Sequence, residues 1–516
     1  AVGVSVAGRR VTATSVTMDR EDIAIKEGGL LMTKEQRDRL LSTAMVQVDE
    51  YLDGLATSAA VDVEGSEKAA DSLRMGKAPE HGVPLDDALA TIFSSEALKG
   101  FNTAGPSYLA HVPGGGMFVS AVGGLISNCL NRFTGVWEAA PGLVQLEVNV
   151  IRWMCSMVGY PASSMGTLTS GGSMANFGGV FTAKEELLEV EELFAAAIYV
   201  SEQINHSVCK ATRLAGFPAS SVRAIATDNH CRMSLDALRE AIAADKEGRS
   251  GKKMRPFLII ASGGTTNTGA VDDLGALADL AEKEGMWLHV DACYGGFFAL
   301  TSRGKETLSG LERAHSIALD PHKSLFVPFG TGALIARDGE ALKRAHFLGA
   351  EYMPDDTLQG PDQVDFAQLS AELSRDYRGL RVWLPIMLHG MDKFRQELDT
   401  KLDLARWVVE RLREIAGIEV PIAPQLSIVV FRHCEAVEDD SEEQLNTLNH
   451  RLLAQVNGKG HVYLSGASIL GGGFYVRMCI LNFRTDSALL QQVIIDIREA
   501  VSELQAASTQ QTAAGQ

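Results

Sequence analysis

Ser316-Ile317-Ala318-Leu319-Asp320-Pro321-His322-Lys323-Ser324 is the stretch that decides the fold. Four apolar residues of strand character end in Asp-Pro, and a lysine follows beside a histidine. A lysine just after a buried strand is poorly placed for the surface. Burial is expected to lower its ammonium pKa and free the amine as a nucleophile. Upstream, Met286-Trp287-Leu288-His289-Val290 ends in Asp291 in the same way. Further back come Phe257-Leu258-Ile259-Ile260-Ala261, Val222-Arg223-Ala224-Ile225, Ala197-Ile198-Tyr199-Val200 and Gly166-Thr167-Leu168-Thr169. Helix-like segments such as 235–244 and 274–284 lie between them. Strands alternating with helices predict an α/β fold with a mainly parallel central sheet covered on both faces. Sites in such sheets gather at the strand carboxyl ends.

Outward from this core the texture changes. Residues 1–28 lack periodicity and read as a mobile N-terminal arm. Apolar spacing predicts helices over 33–56 and 85–98, with a polar loop over 62–84. Residues 29–104 thus form an N-terminal helical segment with no sheet of its own. It must pack on something else, and a second subunit is the expectation. Residues 105–382 form the large domain. Residues 383–505 read as a smaller C-terminal α+β domain, with helix-like 391–415 and 443–456 and strands 426–431 and 474–480. The tail 506–516, rich in Gln, Ala and Thr, is expected to be disordered.

The 516 residues are 46% apolar, enough to bury a large core. A net charge of −18 argues against nucleic acid or an anionic membrane as a main partner. The seven cysteines are odd in number and show no CxxC pair, which argues against a disulfide framework or a zinc site and for a reducing cytoplasm. No metal site is expected. No apolar run has the length of a membrane span. The opening apolar residues precede Arg9-Arg10 rather than following a basic region, so they do not read as a signal peptide.

One strand-end lysine and one strand-end aspartate are the pair that pyridoxal phosphate (PLP) requires. Lys323 supplies the amine for a Schiff base, and Asp291 keeps the pyridine nitrogen protonated so that the ring accepts electrons. Ser170-Gly171-Gly172-Ser173-Met174-Ala175-Asn176 follows a strand and opens a helix, an arrangement that suits a phosphate. His206 follows strand 197–200 and can stack on a pyridinium ring. Gly264-Thr265-Thr266 follows strand 257–261, with hydroxyls able to support a cofactor or orient Asp291. Singly these are a tight turn, a structural histidine, a Gly/Thr turn, a helix N-cap and a surface lysine. Together, each at a strand end, they make coincidence improbable.

On these residues the chain resembles the group II PLP-dependent amino-acid decarboxylases of fold type I, which include aromatic-L-amino-acid, glutamate, histidine and cysteine-sulfinate decarboxylases. The resemblance covers roughly residues 100–490. Its anchors are Thr169–Asn176, Asn205-His206-Ser207, Gly264-Thr265-Thr266, His289-Val290-Asp291-Ala292 and Asp320-Pro321-His322-Lys323, with weaker echoes at 139–147 and 378–383. It implies that Lys323 carries the cofactor, Asp291 pairs with the pyridine nitrogen and His206 stacks on the ring. Thr266 lies near the ring or Asp291, and Gly172 and Ser173 hold the phosphate with Asp320. His322 takes part in proton transfer, and Cys293 belongs with the cofactor-binding positions. It also implies a homodimer with active sites at the interface. The reaction implied is decarboxylation of a small-molecule L-amino acid to the amine and carbon dioxide.

Two departures qualify the substrate and the product. Aromatic decarboxylases place tryptophan after the His-Lys pair, and here it is Ser324. Family members carry a proton-donating tyrosine on the loop between Lys323 and Arg378. The equivalent place falls near Phe366, with Tyr352 and Tyr377 as other candidates for the role. Relatives with phenylalanine there consume oxygen and form an aldehyde. An aldehyde synthase and another fold-type-I reaction such as transamination therefore stay open. A desulfurase would need a loop cysteine, and none lies between Cys293 and Cys434. A PLP-binding scaffold without activity is disfavoured by the intact Lys323, Asp291 and His206.

Overall fold

A computed structural model describes residues 30–249, 251–347, 363–434 and 441–514. The expected arm over 1–28 lies outside the described residues. The chain divides into two compact units, Ala1–Asp53 with Ala70–Leu98 and Gly54–Ala69 with Lys99–Gln516. In the first, helix α1 (Lys34–Gly54) starts behind a reciprocal cap. Gln36 N donates to Thr33 Oγ1 while Thr33 N donates to Gln36 Oε1. None of its residues is buried, and Leu41 and Val46 are exposed. Helix α2 (Leu85–Ile92) stops short of the expected residue 98. Ser94 Oγ donates to the Thr91 carbonyl, the kind of local bond that competes with helix propagation.

The second unit holds a seven-stranded sheet of β1 (Met165–Thr169), β2 (Ala196–Ser201), β3 (Val222–Ile225), β4 (Arg255–Ser262), β5 (Trp287–Asp291), β6 (Ser316–Leu319) and β7 (Gly332–Ala336). Their order is β3-β2-β4-β5-β6-β7-β1. The neighbours from β3 to β6 pair in parallel, and β7 runs antiparallel to both β6 and β1. The first six strands are those expected from sequence; β7 was not anticipated. Every residue of β2, β5, β6 and β7 is buried, which is why these strands read as unbroken apolar runs. Helix α3 (Gly172–Leu187) crosses this sheet at close range. A Cβ on Gly179 would lie 2.4 Å from the His289 ring, and one on Gly178 would lie 2.7 Å from Leu334.

A second sheet, β8 (Ile418–Glu419), β9 (Ile428–His433), β10 (Ser465–Ile469) and β11 (Gly473–Cys479), is antiparallel in the order β8-β9-β11-β10. Its core gathers Val429, Phe431, Val476 and Met478 with Leu452, Leu490 and Ile497. A helical run from Gly379 to Arg413 leads into it, broken at Gly390 (φ 72°, ψ 157°), beyond the expected domain boundary at residue 382. The last helix runs Ser487–Ala514 and so continues through most of the tail expected to be disordered. Ala and Gln are good helix formers, and no glycine or proline interrupts them before Gly515.

Candidate active site

The carboxyl ends of β1, β2, β4, β5 and β6 meet at a cavity of about 250 Å³. After β1 the chain turns at Gly171, whose φ of 155° and ψ of 175° belong to glycine alone. Gly172 and Ser173 then open α3 and line the cavity, so free N–H groups and the positive end of the helix face it. Gly172 has no room for a side chain, because a Cβ would lie 2.4 Å from Cys293 Sγ and 2.8 Å from Asp320 Oδ2.

At the end of β5, Asp291 is 9% exposed. Its Oδ2 accepts from Asn176 Nδ2 at 3.1 Å, and its Oδ1 accepts from Cys293 N at 3.2 Å. At the end of β6, Pro321 starts the short helix Pro321–Ser324. That turn brings Lys323 Nζ to 2.9 Å from Asp320 Oδ2. His322 donates from Nδ1 to the Thr331 carbonyl at 2.8 Å, leaving Nε2 as the acceptor, 3.5 Å from Asp320 Oδ2.

After β2 comes helix α4 (His206–Leu214), capped by Asn205. Asn205 Oδ1 accepts from Ser207 N, and its Nδ2 donates to Thr266 Oγ1 at 2.8 Å. After β4, Gly264, Thr265 and Thr266 complete the wall. The buried Arg477 of β11 donates from Nε to the Thr266 carbonyl and from Nη2 to that of His111.

The electrostatics correct one expectation. Burial by itself lowers the Lys323 ammonium, but the Asp320 carboxylate beside it, with Asp291 at the neighbouring strand end, outweighs burial, and the net shift is upward. The amine is thus held protonated by its own turn rather than freed. Burial lowers His322, with Asp320 opposing, so the imidazole is biased to the neutral form. Burial also raises the Cys293 thiol well above its ordinary value.

The structure brings together Lys323, Asp291, His322, Asp320, Cys293, Thr266, Gly172 and Ser173 around one cavity. It does not bring His206 there. His206 is exposed and does not line the cavity, whereas Asn205 and Ser207 do. The cap bond turns Asn205 inward, and the next residue projects from another side of the helix start. Asp320, expected with Gly172 and Ser173 at the phosphate, lines the same cavity as they do and also pairs with Lys323. Phe366 is fully buried beneath the Arg375 guanidinium, 4.8 Å from its ring, and does not line the cavity. Tyr377 is buried too, donating to the Leu143 carbonyl. Tyr352 lies outside the described residues. Sequence reading quoted Asn205, Ser207 and Asn176 within its motifs but gave them no role of their own; the Asn-x-Ser spacing at a helix start was the available signal for the first two.

The residues present fit PLP. A lysine amine and an aspartate stand at neighbouring strand ends, a helix start too tight for any Cβ faces the same space, and the buried Asp320 Oδ1 has no hydrogen-bond partner.

The comparisons agree. Residues 78–434 match the pyridoxal-dependent decarboxylase conserved domain. An aromatic-L-amino-acid decarboxylase of Bacillus atrophaeus is 36% identical over 399 residues, 77% of this chain and 82% of that protein. A phenylacetaldehyde synthase of Petunia hybrida is 28% identical over 391 residues, 73% of this chain and 76% of that protein. The crystal structure of Oryza sativa TDC with PLP and tryptamine shares the fold, with a TM-score of 0.86 and 24% identity over 92% of this chain and 99% of that one. This chain belongs to the pyridoxal-dependent decarboxylases, the group II family, and is a PLP-dependent amino-acid carboxy-lyase.

Proposed function

We propose that the substrate is an aromatic L-amino acid and that the products are its amine and carbon dioxide. The reading is carried by Lys323, Asp320 and Asp291 meeting in one cavity. The name and 36% identity of the Bacillus atrophaeus relative support the substrate class. PLP, when bound, supplies an aldehyde that condenses with amines and a pyridinium ring that takes up the electron pair left by departing carbon dioxide. The chain's own residues do the rest. Lys323 holds the cofactor through its amine, with the Asp320 carboxylate beside it. Asp291 keeps a proton on the pyridine nitrogen. Gly172 and Ser173 offer N–H groups to the phosphate. Thr266 and Asn205 form the wall between β4 and β2. His322, fixed by Thr331, presents Nε2 to hold or move a proton beside Lys323.

The aldehyde reading rested on Phe366, which lies away from the cavity. We further propose a homodimer, because α1 has no buried residue and exposes Leu41 and Val46. A cytoplasmic location is proposed from seven cysteines, all of them free. No helix among the described residues is long and apolar enough to cross a membrane.

The test is product identification. PLP-loaded protein is incubated in air with a panel of L-amino acids, and products are resolved by mass spectrometry. Tryptamine, tyramine or phenethylamine from the matching amino acid is the expected outcome, and Lys323→Ala should remove both turnover and the visible absorption of bound cofactor. Aldehyde with ammonia and peroxide, or turnover of acidic substrates only, would overturn the proposal.

A further inference from the structure

Trp287, His289 and Asp291 alternate along β5 and so share one face. On that face a chain of buried hydrogen bonds runs from the indole to the carboxylate, through Ser316 of β6 and Asn176 of α3. Trp287 Nε1 donates to Ser316 Oγ at 2.9 Å. Ser316 Oγ lies 2.8 Å from His289 Nδ1, and His289 Nε2 lies 2.9 Å from Asn176 Oδ1. Asn176 Nδ2 reaches Asp291 Oδ2 at 3.1 Å and Ser207 Oγ at 3.1 Å. Ser316 and His289 are 0% exposed and Asn176 is 1%.

The chemistry of the ends fixes the direction of every link. An indole N–H only donates, so Ser316 oxygen accepts there and its own proton is left for His289 Nδ1. An ionised carboxylate only accepts, so the Asn176 amide must turn its NH₂ to Asp291 and its oxygen to His289. His289 then has to be the neutral tautomer with the proton on Nε2. Burial pushes its pKa down to about 4, in keeping with a neutral ring. All the dipoles point at Asp291. Aligned bonds of this kind polarise one another, and they strengthen in a dry interior. Gly179 makes the arrangement possible, because any Cβ there would strike the His289 ring.

We propose that His289 and Asn176 are positioning residues that, with Ser316 and Trp287, orient the Asp291 carboxylate toward the cofactor's pyridine nitrogen. The proposal rests on the role assigned to Asp291 above. It makes cofactor affinity depend on a histidine that the cofactor never touches.

The experiment measures PLP dissociation constants and the visible spectrum of bound cofactor for wild type, His289→Leu, His289→Gln, Asn176→Ala and the double variant His289→Leu/Asn176→Ala. Melting of the cofactor-free proteins is recorded alongside. His289→Leu breaks the chain at its centre with little change of volume. It should weaken PLP binding roughly tenfold or more, the loss of a bond reaching a charged group, and shift the absorption band. Gln can still donate to Asn176 and should recover most of the affinity. The double variant should lose little more than the worse single variant, because both cut one chain. Unchanged affinity and spectrum in a folded His289→Leu protein, or strictly additive losses, would overturn the proposal. Should His289→Leu fail to fold, Asn176→Ala and Ser316→Ala decide the matter: wild-type affinity in both overturns it, and weakened affinity in both supports it. Failure of wild type itself to take up PLP would sink the role of Asp291 rather than the chain alone.

Discussion

Replacing Asp320 with Asn tests whether the lysine is held protonated by its own turn. Lys323 Nζ and Asp320 Oδ2 are 2.9 Å apart, and the carboxylate side chain is 3% exposed. At an effective dielectric of about 20, two unit charges at that distance attract by roughly 6 kcal/mol. Asparagine still offers a carbonyl oxygen to the ammonium. A conservative half of the Coulomb figure, about 2–3 kcal/mol, corresponds to roughly a hundredfold drop in the amine's proton affinity. The sign follows from the direction of the shift. The fold raises the Lys323 pKa, so the free amine is scarce at neutral pH and grows with pH. With Asp320 gone, burial is the dominant remaining influence and lowers the pKa. Capture of added PLP by cofactor-free protein needs the free amine. Followed by visible absorbance in stopped flow, capture at neutral pH should accelerate in Asp320→Asn, and its rise with pH should move about two pH units lower. The same change removes stability that the wild-type pair contributes below the unfolded lysine pKa and loses as pH climbs through the folded one. A capture profile superimposable on wild type would refute the reasoning.

Other substitutions follow from the same geometry. Asn205→Ala should weaken PLP binding about tenfold, because it removes both a helix cap and the bond to Thr266, whereas the exposed His206→Ala should change it less than about twofold, both read by equilibrium titration. Phe366→Tyr would put a hydroxyl into a fully buried site. It should cost about 1–3 kcal/mol in denaturant melts while leaving the amine-to-aldehyde ratio unchanged by mass spectrometry. Arg375→Ala should cost about 3–5 kcal/mol in the same melts, since Glu147 and Arg375 are both sealed from solvent and the carboxylate would be left buried without its cation.

Some of this was legible in the sequence for a physical reason. β5 and β6 are buried on both faces, so their apolar runs end abruptly where Asp291 and Asp320 begin. A parallel sheet then places those ends side by side. β7 was missed because Gly332-Ala333-Leu334-Ile335-Ala336 carries no sign of its direction or partners; its insertion between β6 and β1 is a tertiary fact. His206 drew attention because its chemistry is conspicuous. The cap at Asn205 decides which of the two neighbours faces inward, and a cap is visible only once the helix start is placed. The sign of the Lys323 shift was also hidden. Burial is readable from an apolar run, but the return of a side chain onto the residue three before it depends on the turn from Pro321.

The two carboxylates of the site therefore differ in kind although both end a strand. Asp320 is held by a neighbouring cation and is exposed to any change in that cation's charge. When Lys323 gives up its proton or its amine is engaged, Asp320 is the group that feels it, with Oδ1 already lacking a partner. Asp291 is held by neutral donors, the Asn176 amide and the Cys293 N–H, and its support reaches back through a histidine that burial keeps uncharged. Nothing in that support changes charge near neutral pH. A carboxylate that must stay ionised against a ring nitrogen is best backed by groups that do not titrate. One that must answer a lysine is best placed against the lysine itself. Identical residue types, set in environments that respond differently to a proton, are thereby given separate tasks.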